Sequence, residues 1–335
     1  MGIHELPDFP REFSMSLYAL RRLTALVTCS VALVAPPAQA AWPERPITLV
    51  VPYPAGGVAD TISRAVAREV GERLGQPVVI ENRPGASGKI GLEMVRRAAP
   101  DGYTIGLAVP ATMVLLPLAD ARFGIGPQDF QPISLACETY TVLVVDPRLK
   151  IRTLPEFIRY GRSHAGMTYA SAGNGTSFHF GAALLAQKLG IDATHVAYKG
   201  ESPAMSDVAA GHVQFMLATN SAKAFIEGGK LVPIAVDASR RVAALPDVPT
   251  FREQGVDYVS SGWIGYVGPR NLPANVTARL DGAFRAALQA PALRQTFTTM
   301  GYTPAEAGAP AMGKAIAQDQ ARFRPLVQSG AVKLD

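Results

Sequence analysis

Short apolar runs alternate along this chain with longer amphipathic stretches. The apolar runs have the length of β-strands, whereas the amphipathic stretches have the period of helices; for example, Ile62, Val66 and Val70 form one apolar stripe. Strands that alternate with helices favour right-handed crossover units. The pattern therefore predicts an α/β protein with mainly parallel sheets. The predicted strands are Ile47–Val51, Val78–Glu81, Thr104–Ala108, Thr141–Val145, Met167–Ala170, Ala193–Tyr198, Phe215–Leu217 and Val232–Val236.

The first forty residues have the pattern of a secretory signal peptide. Arg21-Arg22 precedes an apolar run, Leu23–Ala35, and the small-x-small sequence Ala38-Gln39-Ala40 follows that run. The apolar run is too short to span a membrane. We therefore expect an exported protein from which residues 1–40 are cleaved, with residues 1–14 as an upstream extension.

Composition narrows the class of protein further. Without the signal peptide Cys137 would be the single cysteine, so no internal disulfide is expected, and a small buried side chain is its expected role. The formal net charge is +5, but the basic residues are scattered rather than interleaved with aromatic residues, which does not favour nucleic-acid binding. A mature length of about 295 residues exceeds what one core usually serves and predicts two lobes.

Two connections predict where these lobes begin and end. Thr141–Pro155 joins a strand to a turn and a helix, as expected where the chain enters a second lobe. Trp263–Pro269 marks a return, because the helices that follow it have no strand partners of their own. We assign 41–142 and 263–335 to lobe 1 and 143–262 to lobe 2. Two crossings between the lobes would form a hinge beside a cleft.

Two strand–turn–helix units carry the candidate binding chemistry. The turn of the first unit, Ile47–Ala67, contains Ala55, Gly56 and Gly57. Backbone N–H groups and the positive end of a helix dipole meet at such a turn and favour an anion. The second unit, Met167–Leu189, adds neutral side-chain donors in its loop. Two such sites that face each other would hold a dicarboxylate. The neutral donors are Asn174, Thr176 and Ser177.

Some residues of these units have a structural role as an alternative to binding. Asp60 would repel an anionic ligand, so it either caps a helix that begins at Thr61 or orders a bridging water. His179 lies on an apolar helix face, where packing is the alternative to ligand contact. Lys199 is either solvated or pairs with a second carboxylate of the ligand.

Seven segments together resemble the Bug or TctC family, the periplasmic substrate-binding components of tripartite tricarboxylate transporters. They follow the family's order over essentially the whole mature chain. The resemblance implies a type II-like periplasmic binding protein, or Venus flytrap, in which loops from two α/β lobes hold a ligand carboxylate, partly through ordered water. The segments are WPERPITLVVPYPAGGVAD, ENRPGASG, PDGYT, GNGTSFH, HVAYKG, LPDVPTFREQG and SGWIGYVGP.

The resemblance also implies which residues line the cleft. Tyr53 stands where the family more often has Phe, and Thr219 and Asn220 occupy a strand end where many relatives carry an acidic residue. Ligand identity therefore stays open among dicarboxylates, tricarboxylates, acidic amino acids and aromatic acids. The matching positions are Tyr53, Pro54, Ala55, Gly56, Gly57 and Asp60 in the first loop, Gly175, Thr176, Ser177 and His179 in the second, and Tyr198 and Lys199 beyond it.

The motifs favour a binding protein over an enzyme. The sequence contains no GxSxG, GxxxxGK[ST], HExxH or CxxC motif, and its histidines lack metal-ligand spacing. We expect a monomer that captures a small organic acid and delivers it to membrane permease subunits, with no cofactor, metal or catalytic residue. The alternatives are a ligand sensor for a membrane signalling receptor and a hydrolase.

Overall fold

The computed structural model describes residues 1–2, 42–238, 240–260, 262–330 and 332. The predicted signal peptide lies outside the described residues except for Met1 and Gly2. The chain divides into one unit from Met1 to Glu44 and a second from Arg45 to Asp335. The second unit contains the strands, helices and candidate site described below.

Two mixed sheets form the framework of the second unit. The strands are β1 (Ile47–Val51), β2 (Val78–Asn82), β3 (Thr104–Ala108), β4 (Phe130–Glu138), β5 (Thr141–Val145), β6 (Met167–Ser171), β7 (Ala193–Ala197), β8 (Phe215–Ala218), β9 (Val232–Asp237), β10 (Trp263–Pro269) and β11 (Thr303–Pro304). One sheet has the order β11-β4-β10-β3-β1-β2, and the other has the order β7-β6-β8-β5-β9. We call these the first and second lobes.

Helices surround both sheets, as the alternating pattern predicts. The π-helical turn Ala111–Leu115 precedes a short helix in the first lobe. The helices are α1 (Val58–Leu74), α2 (Lys89–Arg97), α3 (Leu116–Ala119), α4 (Leu154–Ser163), α5 (Ser177–Leu189), α6 (Glu201–Ala210), α7 (Lys223–Glu227), α8 (Ala274–Leu288), α9 (Pro291–Thr299) and α10 (Ala309–Gln328).

The predicted strands are all present, but the prediction of mainly parallel sheets is wrong. β1 pairs in parallel with β2 and β3, and β6 does so with β7 and β8. In contrast, β10 is antiparallel to β3 and β4, and β5 is antiparallel to β8 and β9. The reason is that β5 and β10 each arrive from the other sheet. They therefore start at the edge where their parallel neighbours end.

Strands β4 and β10 were not predicted, because Pro and Gly interrupt their apolar pattern. Pro132 lies inside β4, where the register against β10 shifts between Tyr266 and Val267. A proline, which has no N–H to donate, is tolerated at such an irregularity. Both strands are nevertheless buried near the centre of the first sheet.

The crossing segments bring the carboxyl edges of the two sheets together. Glu138 at the end of β4 pairs with Trp263 at the start of β10, and the Thr139 amide donates to the Gly262 carbonyl at 2.8 Å. On the other side, Thr141 at the start of β5 pairs with Asp237 at the end of β9. The loops that follow β1 and β6 therefore emerge from the two edges that the crossings connect.

Helix α5 of the second lobe also packs on the C-terminal helix α10 of the first. The ring of Phe180 meets that of Phe323 edge-on, with 6.3 Å between ring centroids. The Gln187 amide donates to the Ser329 hydroxyl at 3.1 Å. The helix that begins at the second loop is thus in contact with the opposite lobe.

Two side chains near the crossing segments, Cys137 and Trp263, are buried. Cys137 is fully buried in β4, as expected, and burial raises the pKa of its thiol. The indole of Trp263 is buried and donates to the Asp319 carboxylate at 2.8 Å. Both side chains therefore have structural roles in the first lobe.

The buried Asp237 carboxyl group, beside the crossing segments, should make a pH-dependent contribution to the stability of the fold. Its carboxylate is fully buried and accepts from the Ser260 amide and hydroxyl, both at 2.8 Å. Burial raises its pKa from 3.8 to about 6. The native state therefore holds the proton more tightly than the unfolded state, so this group's contribution to stability falls as pH rises from 4 to 6.

We expect Asp237→Asn to remove about 2 to 3 kcal/mol of this pH dependence, the equivalent of about two pKa units. Urea unfolding of both proteins at a series of pH values between 4 and 7 measures the difference. An unchanged difference in the free energy of unfolding between the two proteins across this range would contradict the assignment.

Candidate ligand-binding site

The first candidate loop lies between β1 and α1 and presents backbone amides to solvent. Gly57 is the N-cap residue of α1, in an extended conformation, and makes no side-chain cap. The first N–H groups of a helix have no acceptor within the helix, so the first turn of α1 can bind an anion. Gly56 has φ +79°, a left-handed conformation that favours glycine. Pro54 to Gly57 are exposed.

Asp60 has a different role from the predicted helix cap. Helix α1 begins at Val58 rather than Thr61, because the extended Gly57 already occupies the N-cap position. The buried Asp60 carboxylate accepts from the Gly56 amide at 2.9 Å and from the Arg64 guanidinium at 2.9 Å. Of the two alternatives for Asp60, the helix cap is therefore wrong, and the Gly56 amide is already bonded within the loop.

Asn82 completes this arrangement and was not predicted. Its side-chain amide donates to the Asp60 carboxylate at 3.0 Å and to the Tyr53 carbonyl at 3.1 Å. Asn82 ends β2, which pairs in parallel with β1, so both strands deliver their last residues to one edge. The Arg64 guanidinium lowers the pKa of Asp60 to about 2, so the carboxylate stays charged at neutral pH. The spacing of Asp60 and Arg64 was a visible signal for their pairing.

Tyr53 and helix α2 form the wall behind the first loop. Burial raises the pKa of Tyr53 to about 12, so its hydroxyl stays neutral. Helix α2 approaches the loop at Gly91, where a Cβ atom would lie 2.9 Å from the Pro52 Cα and the Arg83 carbonyl oxygen. Only glycine allows this close approach, which restrains the start of the loop.

The second candidate loop, between β6 and α5, is held by its own hydroxyl groups. Thr176 is the N-cap residue of α5 and accepts from the His179 amide at 3.3 Å. The Thr176 hydroxyl donates to the Gly173 carbonyl at 2.7 Å, and the Gly173 amide donates to the Ser171 hydroxyl at 3.1 Å. A hydroxyl has one proton, so the geometry does not fit the predicted side-chain donation from Thr176 to a ligand. Ser177 opens α5, and Asn174 is exposed.

A stacked histidine pair supports this loop from below. His179 is buried, and its ring lies 3.7 Å from that of His195 with 10° between the planes. The Gly175 amide donates to His179 Nδ1 at 3.4 Å, so this nitrogen acts as an acceptor. His195 Nε2 lies 2.6 Å from the Ser171 hydroxyl. His179 thus packs beneath the loop, and His195, which was not predicted, belongs to the same network.

The remaining predicted residues follow β7 and β8 at the same edge. The Tyr198 hydroxyl donates to the Asp207 carboxylate at 2.7 Å, and the Thr219 hydroxyl donates to Glu201 at 3.0 Å. Glu201, which was not predicted, supplies a carboxylate at the strand end where this chain lacks an acidic residue. Asn220 accepts from the Tyr140 hydroxyl at 2.8 Å.

Lys199 differs from these residues because its side chain is exposed at the edge. Within the described part of the chain, no carboxylate lies within ion-pair distance of its ammonium group. Lys199 can therefore pair with an incoming anion.

Other functions find little support among the described residues. No group of three or more His, Cys, Asp or Glu side chains there could hold a metal ion. No described helix has the length and apolar character needed to cross a membrane. Two loops with backbone amides lie at the sheet edges that the crossing segments connect, one loop in each lobe. A two-lobed α/β protein with such loops beside its crossings has the architecture of a solute-binding protein.

Comparison with known proteins identifies the family. Residues 62–332 match the family described as "Tripartite tricarboxylate transporter family receptor", TctC. This chain belongs to that family, which confirms the resemblance seen in the sequence. Because the family consists of receptors, the expectation of a binding protein rather than an enzyme is also confirmed.

Solved structures of similar proteins confirm the two-lobed α/β fold. The periplasmic binding protein BugD is 30% identical with a TM-score of 0.72, over 87% of this chain and 99% of BugD. Rpa4515 from R. palustris with adipate is 28% identical with a TM-score of 0.75, over 87% of this chain and 99% of that chain. MatC from Rhodopseudomonas palustris with bound malate is 30% identical with a TM-score of 0.72, over 85% of this chain and all of MatC.

Proposed function

We propose that this protein is an exported solute-binding protein that holds a small dicarboxylate between its two lobes and delivers it to a membrane permease. The observation that carries the proposal is the pair of amide-bearing loops after β1 and β6, on sheet edges that the crossing segments bring together. Export rests on the signal-like pattern of residues 1–40. Lobe boundaries near residues 142 and 263 belong to the same proposal.

Energetics explain why both loops are needed. A helix terminus contributes about 0.3 to 1 kcal/mol, or up to about 2 when partly buried. A hydrogen bond to a charged group contributes about 1.5 to 3 kcal/mol. Micromolar affinity requires about 8 kcal/mol, so one loop with two amide donors falls short. Donors from the second loop and from Lys199 supply the remainder once the lobes close.

The preference for a dicarboxylate rests on two independent points. The solved structure of MatC contains malate and that of Rpa4515 contains adipate, both of which are dicarboxylates. Among the described residues Lys199 has no ion-pair partner, and it lies at the edge that also carries the second loop. One carboxylate of the ligand would bind the amides of the first loop, and the other would bind the second loop and Lys199.

Isothermal titration calorimetry of the mature chain tests the proposal. Malate, adipate and succinate are compared with citrate, acetate and benzoate at constant pH and salt. We expect a dicarboxylate to bind with a Kd of about 1 μM and to raise the melting temperature by mass action. Absence of binding by every carboxylate, or turnover of an ester or amide, would contradict the proposed function.

Lys199→Met should lower the affinity for dicarboxylates more than the affinity for monocarboxylates. We expect the variant to bind its dicarboxylate about tenfold more weakly, the equivalent of about 1.4 kcal/mol, because one charge-assisted contact is lost. Monocarboxylate affinity should change by less than about twofold, and Lys199→Arg should retain most of the affinity. Equal losses for both classes of ligand would show that Lys199 does not discriminate between them.

A further inference from the structure

A cavity beside the crossing segments is separate from the candidate site. It has a volume of about 390 Å³, and the residues of the first and second loops do not line it. Its walls come from the end of β4, from the segment that precedes β11, and from the segment that follows β9. We call it the hinge pocket. Its lining includes Glu138, Tyr140, Arg240, Arg241, Val242 and Tyr302.

The charges of the hinge pocket lie on different elements. Glu138 ends β4 of the first lobe, whereas Arg240 follows β9 of the second. Both side chains are exposed, and neither has an ion-pair partner within 4.0 Å in the described part of the chain. Arg241 is different, because it is paired with Glu253 at 3.1 Å. The pocket therefore offers one anion and one cation on separate walls, neither of them in an ion pair with another described residue.

Part of the remaining lining is apolar. Tyr140, Val242 and Tyr302 are buried and contribute aromatic and aliphatic surface. The Tyr140 hydroxyl is already bonded to Asn220. A pocket of this volume fits a small molecule, and its two opposite charges match a ligand that carries both an ammonium and a carboxylate.

We propose that the hinge pocket binds a small α-amino acid with an apolar side chain. Arg240 pairs with the ligand carboxylate, Glu138 pairs with its ammonium, and the side chain lies on Val242 and Tyr302. Because the walls come from elements of both lobes, the bound molecule has different contacts at different hinge angles. Its occupancy therefore shifts the affinity of the cleft, and the ligand in the cleft shifts the affinity of the pocket by the same factor.

Calorimetric titration of the mature chain with L-valine tests the proposal. Two probes lack one charge each: 3-methylbutanoate lacks the ammonium, and isobutylamine lacks the carboxylate. We expect L-valine to bind at least about tenfold more tightly than either probe. The variants Arg240→Gln and Glu138→Gln should each weaken L-valine binding by at least about tenfold, whereas the control Arg270→Gln, at an exposed arginine outside the pocket, should not.

A Gly57→Val variant distinguishes the pocket from the cleft. It should retain L-valine binding even where binding of dicarboxylates is lost, and this result holds whether or not the proposed function is correct. Three results would overturn the proposal: no binding of L-valine up to about 10 mM, equal binding of 3-methylbutanoate, or L-valine binding that is lost in Gly57→Val and kept in Arg240→Gln.

Discussion

Replacement of Asp60 by Ala is expected to lower dicarboxylate affinity by about a hundredfold, although its carboxylate points into the protein. Asp60 holds the Gly56 amide, Arg64 and Asn82 together, and Asn82 in turn holds the Tyr53 carbonyl. Loss of two such contacts, at about 1.5 to 3 kcal/mol each, disorders the loop whose amides bind the ligand. Arg64 is half exposed, so its share is smaller than that of the buried partners.

Titration calorimetry and urea unfolding measure the two effects of this change. We expect the free energy of unfolding to fall by about 3 kcal/mol, the lower end for the loss of two such contacts. The control Asp257→Ala removes an exposed ion pair with Arg252 and should change stability by less than about 0.5 kcal/mol. Wild-type affinity in Asp60→Ala would show that the loop is organised without this carboxylate.

The low pKa of Asp60 adds a pH signature to the same variant. With a folded pKa of about 2 against the usual 3.8, Asp60 stabilises the native state above about pH 4. That stabilisation is lost as pH falls from 4 towards 2, because the carboxylate takes up a proton. Asp60→Asn should therefore lose less stability than the wild-type protein over this interval, and an identical acid transition would contradict the assignment.

Gly57→Val is expected to abolish dicarboxylate binding and leave the fold intact. Gly57 has φ −76° and ψ 172°, an extended conformation that any residue adopts. The nearest atom to a Cβ atom there is the Pro54 carbonyl oxygen at 3.5 Å, an ordinary contact. The branched side chain would cover the first amides of α1, so we expect dicarboxylate affinity to fall by at least about a hundredfold, the equivalent of about 2.8 kcal/mol.

Gly56→Ala is the matched control for Gly57→Val. Gly56 has φ +79°, so an alanine there is strained and should cost about 1 to 2 kcal/mol of stability. Gly57→Val therefore tests the effect of covering the amides, whereas Gly56→Ala tests the effect of backbone strain in the same loop. Circular dichroism checks the fold, and calorimetry measures binding. Unchanged affinity in a folded Gly57→Val would remove the first loop from the proposed site.

The sequence revealed those features that depend on local pattern. Apolar runs predicted eight strands, and Gly56 and Gly57 after β1 predicted an amide-bearing turn. Strands β4 and β10 were not predicted, because Pro132 and the glycines of β10 interrupt the apolar runs that indicate a strand. Their direction, like that of β5, depends on the crossings, and no local pattern encodes those.

Side-chain roles were harder to predict, because each depends on a distant partner. For Asp60 the sequence left a helix cap and the ordering of a bridging water as alternatives, because its partner Asn82 lies on another strand. Thr176 looked like a free donor, but its hydroxyl bonds to Gly173 once the loop folds back. His195 meets His179 only because β6 and β7 pair beneath α5. Pairings of this kind follow from the tertiary fold rather than from spacing.

A crystal structure of the mature chain with its tightest-binding dicarboxylate would test the central claim most directly. We predict that one carboxylate accepts from backbone amides at the start of α1, and that the other accepts from the loop before α5 and from Lys199. A dicarboxylate found away from both loops, with neither set of amides in contact with it, would contradict the account.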